Sequence, residues 1–458
     1  MGKAEEGVTS QELLSERLPL LCQEAAPSPT HLSQEEVVRQ ASMAPWPRLR
    51  SALLCLLVGL FACMLAMAVL LLVKMLQLRS ALPWWQKAAF YQLPVTSFRD
   101  SNGDGRGDLE GVRHQVDQLP DLSIQALVLG PILEGGRDNL TRVCSSYGSL
   151  EQLQALVAHG HEKGIHILLE LPAWEEGPDP ATDDHNRTAQ AFQGVMQFWQ
   201  EQGVDGFLVA KDPAWRLDVV LNAWSELDQQ TQRDHREARV LMIWDQSGTC
   251  NVSHWMSRQV IFACHLLGAE KNLTAQDLAQ RVDGAVRHAR GPWPSWTVPK
   301  GLPSIADLGQ ILGVLLFTLP GVPLLQGGEG SPIPLDKEMM ENGSSGHPQA
   351  KLYRSLLALR AKSSPLQGRD FAPLPLADHC QEDTFAFLRP GSCAGHLVIL
   401  NLGSQPCLLD LRYRGFPSRA QVLFSTHPEP PQSDIDMERV QLVPRQAILL
   451  RVPRGYRQ

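Results

Sequence analysis

One uninterrupted apolar segment, Ser51 to Val73, constrains this chain more than any other feature. It holds 23 residues without a charge, an amide or a proline. As an α-helix it would be roughly 34 Å long, which exceeds the hydrocarbon core of a bilayer, about 30 Å. A buried core helix is usually shorter, and a cleaved signal peptide lies at the extreme N-terminus, whereas 50 residues precede this segment. The segment therefore predicts an uncleaved signal anchor that spans a membrane.

Glycosylation acceptors indicate the orientation of this anchor, because the basic residues on its two sides nearly balance. Five Asn-X-Ser/Thr sequences lie beyond the segment, and none lies in residues 1–50. Such acceptors are modified on the lumenal side of the secretory pathway. The pattern predicts a type II protein with its N-terminus inside and its C-terminal part extracellular. The acceptor asparagines are Asn139, Asn186, Asn251, Asn272 and Asn342.

Charge and cysteine content exclude some classes of function. The net charge of -8 is spread without runs, so no basic stripe for nucleic acid is present. Nine cysteines show no C-x-x-C and no His/Cys spacing suited to zinc. Six of them follow the span, where they could form disulfides or remain free buried thiols, and the sequence does not decide between these. The six are Cys144, Cys250, Cys264, Cys380, Cys393 and Cys407.

Residues 1–50 are rich in Glu, Gln, Ser and Pro, which predicts a mostly disordered cytoplasmic tail. Within it, Glu16-Arg17-Leu18-Pro19-Leu20-Leu21 matches the acidic dileucine pattern that sorting adaptors bind. Glu16, Leu20 and Leu21 are therefore candidate residues for endosomal or basolateral sorting.

After a neck at 74–83, residues 84–367 alternate short apolar runs with amphipathic stretches. This alternation is typical of a parallel sheet covered by helices, and eight such units predict a closed (β/α)₈ barrel. From residue 368 to 458 short strands and turns alternate without a helical period, which predicts a small antiparallel β domain. The eight predicted barrel strands are 88–95, 126–132, 166–171, 206–210, 240–244, 260–264, 295–298 and 322–326.

Three fragments in register give the barrel a family resemblance. The run Asp100 to Leu109, DSNGDGRGDL, resembles the loop after the first strand in the α-amylase family of glycoside hydrolases. Gly203 to Phe207, GVDGF, resembles the segment that leads into the fourth strand, and Phe317 to Pro323, FTLPGVP, resembles the one before the eighth.

A signal anchor followed by an amylase-like barrel resembles the heavy chains of the heteromeric amino acid transporters. The resemblance extends from the span to the C-terminus and is to the 4F2 type, because the rBAT type carries an inserted domain after the third barrel strand. Only about 34 residues separate Leu171 from Gly206, and they must also hold a helix. The resemblance implies a protein that carries a polytopic light-chain transporter to the plasma membrane.

The residues of glycoside hydrolysis are degenerate. A retaining glycosidase needs two carboxyl groups, one as nucleophile and one as general acid. The family places the nucleophile in G-F-R-x-D at the end of strand four, where this chain has Leu208 for the arginine and Ala210 for the nucleophile. Near strand seven the chain has Lys300 in place of the family's His and Asp, and Glu170 to Trp174 lacks the Asn-His pair of strand three.

Asp245, after strand five, lies near the general-acid position. We expect it to be a solvated strand-end carboxylate, since a lone acid cannot give a covalent intermediate. The sequence thus predicts a catalytically inactive protein. Two alternatives are a membrane-anchored α-glucosidase-like enzyme and an adhesion or receptor ectodomain without a transporter partner.

The loop after the first strand retains oxygen donors. Asp100, Asn102, Asp104, the carbonyl of Arg106 and Asp108 alternate with glycines, a pattern compatible with structural Ca²⁺. The family resemblance implies such a site. The alternative is a turn stabilised by its own Asx hydrogen bonds.

Two features bear on a membrane partner. Gly59, Ala62 and Ala66 fall nearly on one helical face, where small residues would admit a neighbouring helix. The family's heavy chains carry a cysteine just outside the membrane that forms a disulfide with the light chain, but the neck Lys74 to Pro83 contains none. We therefore predict a non-covalent association, or loss of light-chain pairing.

Overall fold

A computed structural model describes most of the chain after residue 32. The chain forms two compact units, and the boundary between them in the sequence lies between Ala81 and Leu82. The described residues are 33–43, 46–78, 82–134, 140–172, 185–210, 217–233, 238–245, 259–266, 274–286, 292–298, 308–328, 348–376, 382–412, 415–427 and 433–453.

The first unit contains helices α1 (Gln34–Ser42) and α2 (Trp46–Leu78). Helix α1 lies within the predicted mostly disordered tail, where Glu35 and Glu36 suit a helix N-terminus. Helix α2 extends the predicted apolar segment at both ends. Within its residues 46–72, the most apolar 18-residue window has a mean hydropathy of 2.9 and none of that window is buried, so by length and composition the helix can span a membrane. A helix that is apolar all round and exposed suits lipid.

The second unit begins with a closed barrel of eight parallel strands in sequence order, as predicted. Four predicted strands coincide with the observed ones, and the others differ by a few residues at their ends. The strands are β1 (Phe90–Leu93), β2 (Ala126–Leu129), β3 (His166–Leu171), β4 (Gly206–Ala210), β5 (Val240–Trp244), β6 (Val260–His265), β7 (Trp293–Thr297) and β8 (Val322–Gln326).

Helices cover the outside of the barrel. Between β3 and α6 lie only residues 172–184. The described helices of this unit are α3 (Trp84–Lys87), α4 (Leu109–Gln115), α5 (Leu150–Glu162), α6 (His185–Glu201), α7 (Leu217–Arg233), α8 (Ala275–Val286), α9 (Gly309–Thr318), α10 (Pro348–Lys362) and α11 (Ser364–Gln367), with short 3₁₀ turns at Val95–Ser97, Val116–Gln118 and Pro120–Leu122.

Helix α3 closes the N-terminal end of the barrel. Trp85 is 2% exposed and belongs to the apolar cluster inside the barrel, where its ring meets that of Trp293 edge to face at 6.4 Å. The adjacent Trp84 stacks on His166 at 3.7 Å and donates its indole N–H to the Ala238 carbonyl, 2.7 Å away. Two consecutive tryptophans therefore fix the start of the barrel by different contacts.

The C-terminal strands form a six-stranded antiparallel sheet, ordered β14-β13-β16-β11-β10-β9, and a separate pair, β12 with β15. Alternate residues of the large sheet belong to two cores: Phe385 and Phe387 join the core around the barrel helices, and Ala386 joins that of the β domain. The strands are β9 (Ala372–Pro373), β10 (Thr384–Arg389), β11 (Ala394–Asn401), β12 (Cys407–Leu409), β13 (Arg419–Ser425), β14 (Asp434–Asp436), β15 (Val440–Leu442) and β16 (Ala447–Pro453).

The cysteines beyond the span have different states. Cys264 and Cys407 are disulfide-bonded. Cys144 and Cys393 are free, the latter exposed. Cys250 and Cys380 lie outside the described residues.

Candidate functional site at the two ends of the barrel

The carboxyl end of the barrel is the place where enzymes of this architecture carry their catalytic groups. Phe90, Leu168, Leu208, Met242 and Leu324 belong to the cluster inside the barrel. Since side chains alternate along a strand, the residues two positions later line the same side one layer nearer the carboxyl end. That layer includes Gln92, Glu170, Ala210, Trp244 and Gln326.

Strand β4 offers no nucleophile in this layer. Leu208 is fully buried in the apolar cluster inside the barrel. Ala210 ends the strand opposite Trp244 of β5. A methyl group can neither attack an anomeric carbon nor stabilise positive charge, so the two-carboxylate chemistry cannot proceed through this strand.

Asp245 is completely buried, so the prediction of a solvated carboxylate was wrong. Its backbone N–H donates to the Ala263 carbonyl at 3.2 Å and thereby continues the β5–β6 ladder past Trp244, which keeps the residue inside the sheet. His265 is close by: burial lowers the pKa of this imidazole, and the Asp245 carboxylate opposes that shift. Asp245 and His265 thus supply one acid and one base, and β4 supplies no second carboxylate.

A polar network that the sequence reasoning missed joins three strands at the same end. The Glu170 carboxylate accepts a hydrogen bond of 2.8 Å from Gln92 Nε2, and Gln326 Nε2 lies 3.3 Å from Gln92 Oε1. The sequence carried one signal for this network: β1, β3 and β8 each have a polar residue at the inward position of this layer. The network engages Glu170 with an amide and so ties strands together.

The opposite end of the barrel carries a second cluster, centred on Asp205 of the GVDGF segment. One carboxylate oxygen accepts 2.8 Å hydrogen bonds from the backbone N–H of Ile167 and from the His161 ring, and His166 Nδ1 lies 3.5 Å from the other. Burial alone would raise the pKa of Asp205, but the hydrogen bonds and charges of the two histidines outweigh it and hold that pKa below its ordinary value. Because Trp84 stacks on His166, the cluster also supports the residue that begins the barrel.

Replacing Asp205 by asparagine is expected to lower the free energy of unfolding at pH 7 by about 1–3 kcal/mol, because a charged acceptor is lost from buried donors. A carboxyl group with a depressed pKa stabilises the fold above its unfolded pKa, and this contribution disappears as pH falls through the folded pKa. The difference between the two proteins should therefore shrink toward pH 3. Urea titrations at several pH values would measure it. The exposed Asp121→Asn is the control, and a difference independent of pH would contradict the prediction.

The loop predicted to bind calcium is stabilised by its own hydrogen bonds. Asp100 accepts from the N–H groups of Gly105 (2.7 Å) and Gly103 (2.6 Å), which lower the pKa of this carboxyl group. Both glycines have φ above +80°, a backbone conformation that favours glycine. Asp108 accepts from Gly111 at 2.7 Å and caps α4.

Two further oxygens of the predicted ligand set also accept backbone hydrogen bonds. Asn102 Oδ1 accepts from the N–H of Asp104, and Asp104 accepts from the N–H of Arg106. Across the part of the chain that the structure describes, no three His, Cys, Asp or Glu side chains are placed to hold a metal ion. The loop shows the hydrogen bonds of the Asx-turn alternative, and calcium binding stays a prediction.

Several other predicted sites fall outside the described residues: Glu16, Leu20, Leu21, Lys300, Asn139, Asn251, Asn272 and Asn342. Asn186 lies in the first turn of α6. Gly59, Ala62 and Ala66 lie on α2 with their side-chain positions exposed.

Comparisons with known proteins agree with the amylase-like barrel fold described above. The family model "Alpha amylase, catalytic domain" matches residues 92–172. Among solved structures, a trehalulose synthase (MutB) mutant shares the fold with a TM-score of 0.64 and 16% identity, covering 81% of this chain and all of that one. The amino acid transporter heavy chain SLC3A2 of Oryctolagus cuniculus is 27% identical over 94% of this chain and 89% of its own length. The chain resembles a transporter heavy chain.

The mouse heavy chain SLC3A2 (Mus musculus) gives nearly the same figures, 26% identity over 93% of this chain. In contrast, the glucan 1,6-α-glucosidase of Streptococcus dysgalactiae subsp. equisimilis is 27% identical over only 30% of this chain. The similarity to heavy chains thus covers almost the whole chain, whereas this similarity to a glucosidase is local.

Proposed function

We propose that this protein is a catalytically inactive ancillary subunit that stabilises an amino acid transporter light chain and carries it to the plasma membrane. The observation that supports this most directly is the resemblance to heavy chains over 94% of the chain. The occupation of the nucleophile position by Ala210 supports inactivity. Among the described helices, α2 alone is long and apolar enough to cross a membrane, which supports a single-pass membrane protein, for which we propose a type II orientation.

Co-purification tests the proposal. The full chain would be expressed with a tag in cells and isolated in mild detergent, and the polytopic proteins bound to it would be identified. The amount of each identified protein at the cell surface would then be compared between cells with and without this chain. Replacing Gly59 by leucine should reduce the bound fraction if the small-residue face of α2 admits a partner helix. Ala68→Leu, nine residues on and on the opposite helical face, is the matched control. Recovery of no polytopic protein would contradict the proposal and favour an adhesion or receptor role.

Inactivity requires a separate measurement. The purified chain is expected to release no glucose from maltose or isomaltose. Turnover that Asp245→Asn abolishes would contradict this part of the proposal and revive the glucosidase alternative.

The association with a light chain is expected to be non-covalent. The neck between Lys74 and Pro83 contains no cysteine. Cys55 and Cys63 lie within α2, away from a partner's extracellular loops. A non-reducing gel of the purified complex should therefore show the two chains as separate bands, identical to those seen with reductant. A heavy-light band that disappears on reduction would contradict this prediction. Ala81→Cys provides the positive control for disulfide formation in the neck.

A further inference from the structure

A cavity of about 350 Å³ lies between the helices that follow the barrel and the β domain. One wall comes from the end of α10 and the start of α11. The other comes from β11 and the loop before it, with one residue each from β13 and β16. This volume is in the range of small-molecule sites. Neither the barrel chemistry nor the membrane helix uses it.

The cavity carries two positive charges and no negative one. Lys362 and Arg451 line it, and no described lining residue is acidic. Within the described ranges neither cation forms an ion pair. Since the whole chain has a net charge of -8, this positive concavity runs against the overall charge of the protein. Both side chains are exposed, so they attract anions to the opening of the cavity in a salt-dependent way.

The floor of the cavity supplies neutral hydrogen-bonding groups. Ser363 and His396 are 7% and 8% exposed, and Ser363 Oγ lies 2.6 Å from His396 Nε2. Burial lowers the pKa of His396; a backbone interaction with Gly395 opposes this shift, and the charges of Arg389 and Arg451 add to it, so the neutral imidazole is favoured at pH 7. Ser364 at the rim adds a second hydroxyl.

The serine and histidine have the spacing of a nucleophile and its base, but the surroundings favour binding over catalysis. Among the residues that the structure describes, no carboxylate is bonded to His396 Nδ1, so none orients the ring or stabilises an imidazolium. The neighbouring arginine charges weaken the base further. Hydroxyls and cations that line one concavity are the elements of an anion site.

We propose that this cavity binds a small organic anion. Its carboxylate or phosphate group lies between Lys362 and Arg451 and accepts hydrogen bonds from the serine hydroxyls. Its apolar part contacts Leu359 and Leu423, which line the same cavity. An anion with an apolar part suits the site better than an inorganic ion, because the cations and the apolar side chains line one continuous space.

Cys393 provides a reporter, because this thiol is free, exposed and part of the cavity lining. The purified full chain, carrying Cys144→Ser, would be treated with the uncharged disulfide dithiodipyridine. Modification of Cys393 would be followed by mass spectrometry of its peptide. Benzoate and phenyl phosphate are the anionic probes, and benzamide is the neutral isostere of benzoate. We expect an anion to slow the modification saturably by about tenfold, with a Kd of about 1 mM, and benzamide to leave it unchanged. The probe that protects better distinguishes a carboxylate site from a phosphate site.

Two variants make the result specific. The double variant Lys362→Gln/Arg451→Gln should lose the protection, whereas Arg419→Gln, which removes an exposed cation elsewhere on the β domain, should keep it. Protection by benzamide equal to that by benzoate, absence of protection by both anions, or protection that persists in the double variant would overturn the proposal.

A second measurement on the chain with intact cations avoids any effect of the variants on folding. The anionic disulfide dithiobis(nitrobenzoate) should modify Cys393 faster, relative to dithiodipyridine, than it modifies a free cysteine in solution, and added salt should remove the advantage. A relative rate at or below that of free cysteine would also overturn the proposal.

Discussion

Replacing Arg389 by methionine is expected to lower the free energy of unfolding by about 3–5 kcal/mol, because it leaves several buried backbone carbonyls without a donor, each costing about 1–3 kcal/mol before relaxation. Arg389 is fully buried. Its guanidinium donates to the backbone carbonyls of Thr318 (2.7 Å), Pro365 (2.9 Å) and Gly368 (2.6 Å). Burial and the nearby charge of Arg360 lower the pKa of Arg389 to about 9, so it remains a cation at neutral pH.

The size of this effect depends on which structural elements carry the three carbonyls. Thr318 ends the last described helix of the barrel before β8, and Pro365 and Gly368 belong to the segment that leads to the β domain. Arg360, 2% exposed, serves the same region through the carbonyls of Phe317, Leu366 and Gly321. Methionine fills a similar volume but donates nothing, so buried carbonyls lose their partners.

Circular dichroism during urea unfolding of the purified full chain would measure the change. Arg419→Met, at an exposed position of β13, is the matched control and should change the free energy of unfolding by less than about 0.5 kcal/mol. A loss below about 1 kcal/mol for Arg389→Met would contradict the argument, since it would mean that water or backbone rearrangement satisfies these carbonyls.

Replacing Trp85 by alanine is expected to cost about 3–5 kcal/mol, the range measured for deleting a buried aromatic side chain. The indole closes the N-terminal end of the barrel from inside and is 2% exposed. Its neighbours Phe90, Trp293 and Leu324 belong to strands whose positions are fixed by the closed sheet, so they can collapse only slightly into the space. The barrel would therefore retain a cavity.

The same unfolding measurement tests this effect, with Trp46→Ala as control. Trp46 is 51% exposed at the start of α2, outside the barrel. The control should leave the unfolding of the barrel unchanged. A cost for Trp85→Ala below about 1.5 kcal/mol would show that the end of the barrel repacks, contrary to the rigid sheet that we infer.

The two ends of the barrel show how far sequence patterns reach. Strands β3, β4, β5 and β8 were predicted with correct boundaries, because buried parallel strands are short apolar runs between helical stretches. That β4 ends in a methyl group at Ala210 and not in a carboxylate could also be predicted, since residue type alone decides it. The burial of Asp245 could not be predicted from the sequence, because it depends on how far the hydrogen bonds between β5 and β6 continue past Trp244.

Clusters of residues that are distant in sequence could not be predicted for a related reason. Asp205 is 44 residues from His161, and Ser363 is 33 residues from His396. Nothing local distinguishes these side chains from solvated ones, since each gains its partner only when strands and helices pack. Arg389 is a similar case: its sequence neighbours predict a strand, but its carbonyl partners lie on other elements.

The sequence by itself determined the apolar helix long enough to span a membrane, the order of strands and helices in the barrel, and the absence of a carboxylate at the end of β4. These follow from length, period and residue type, which are local properties of a chain. Only the tertiary structure decided that Asp245 is buried, that Trp85 closes the barrel, that the loop from Asp100 to Asp108 binds its own amides, and that Lys362 and Arg451 share a cavity. These depend on distances between residues far apart in sequence, and folding sets those distances through the packing of whole elements.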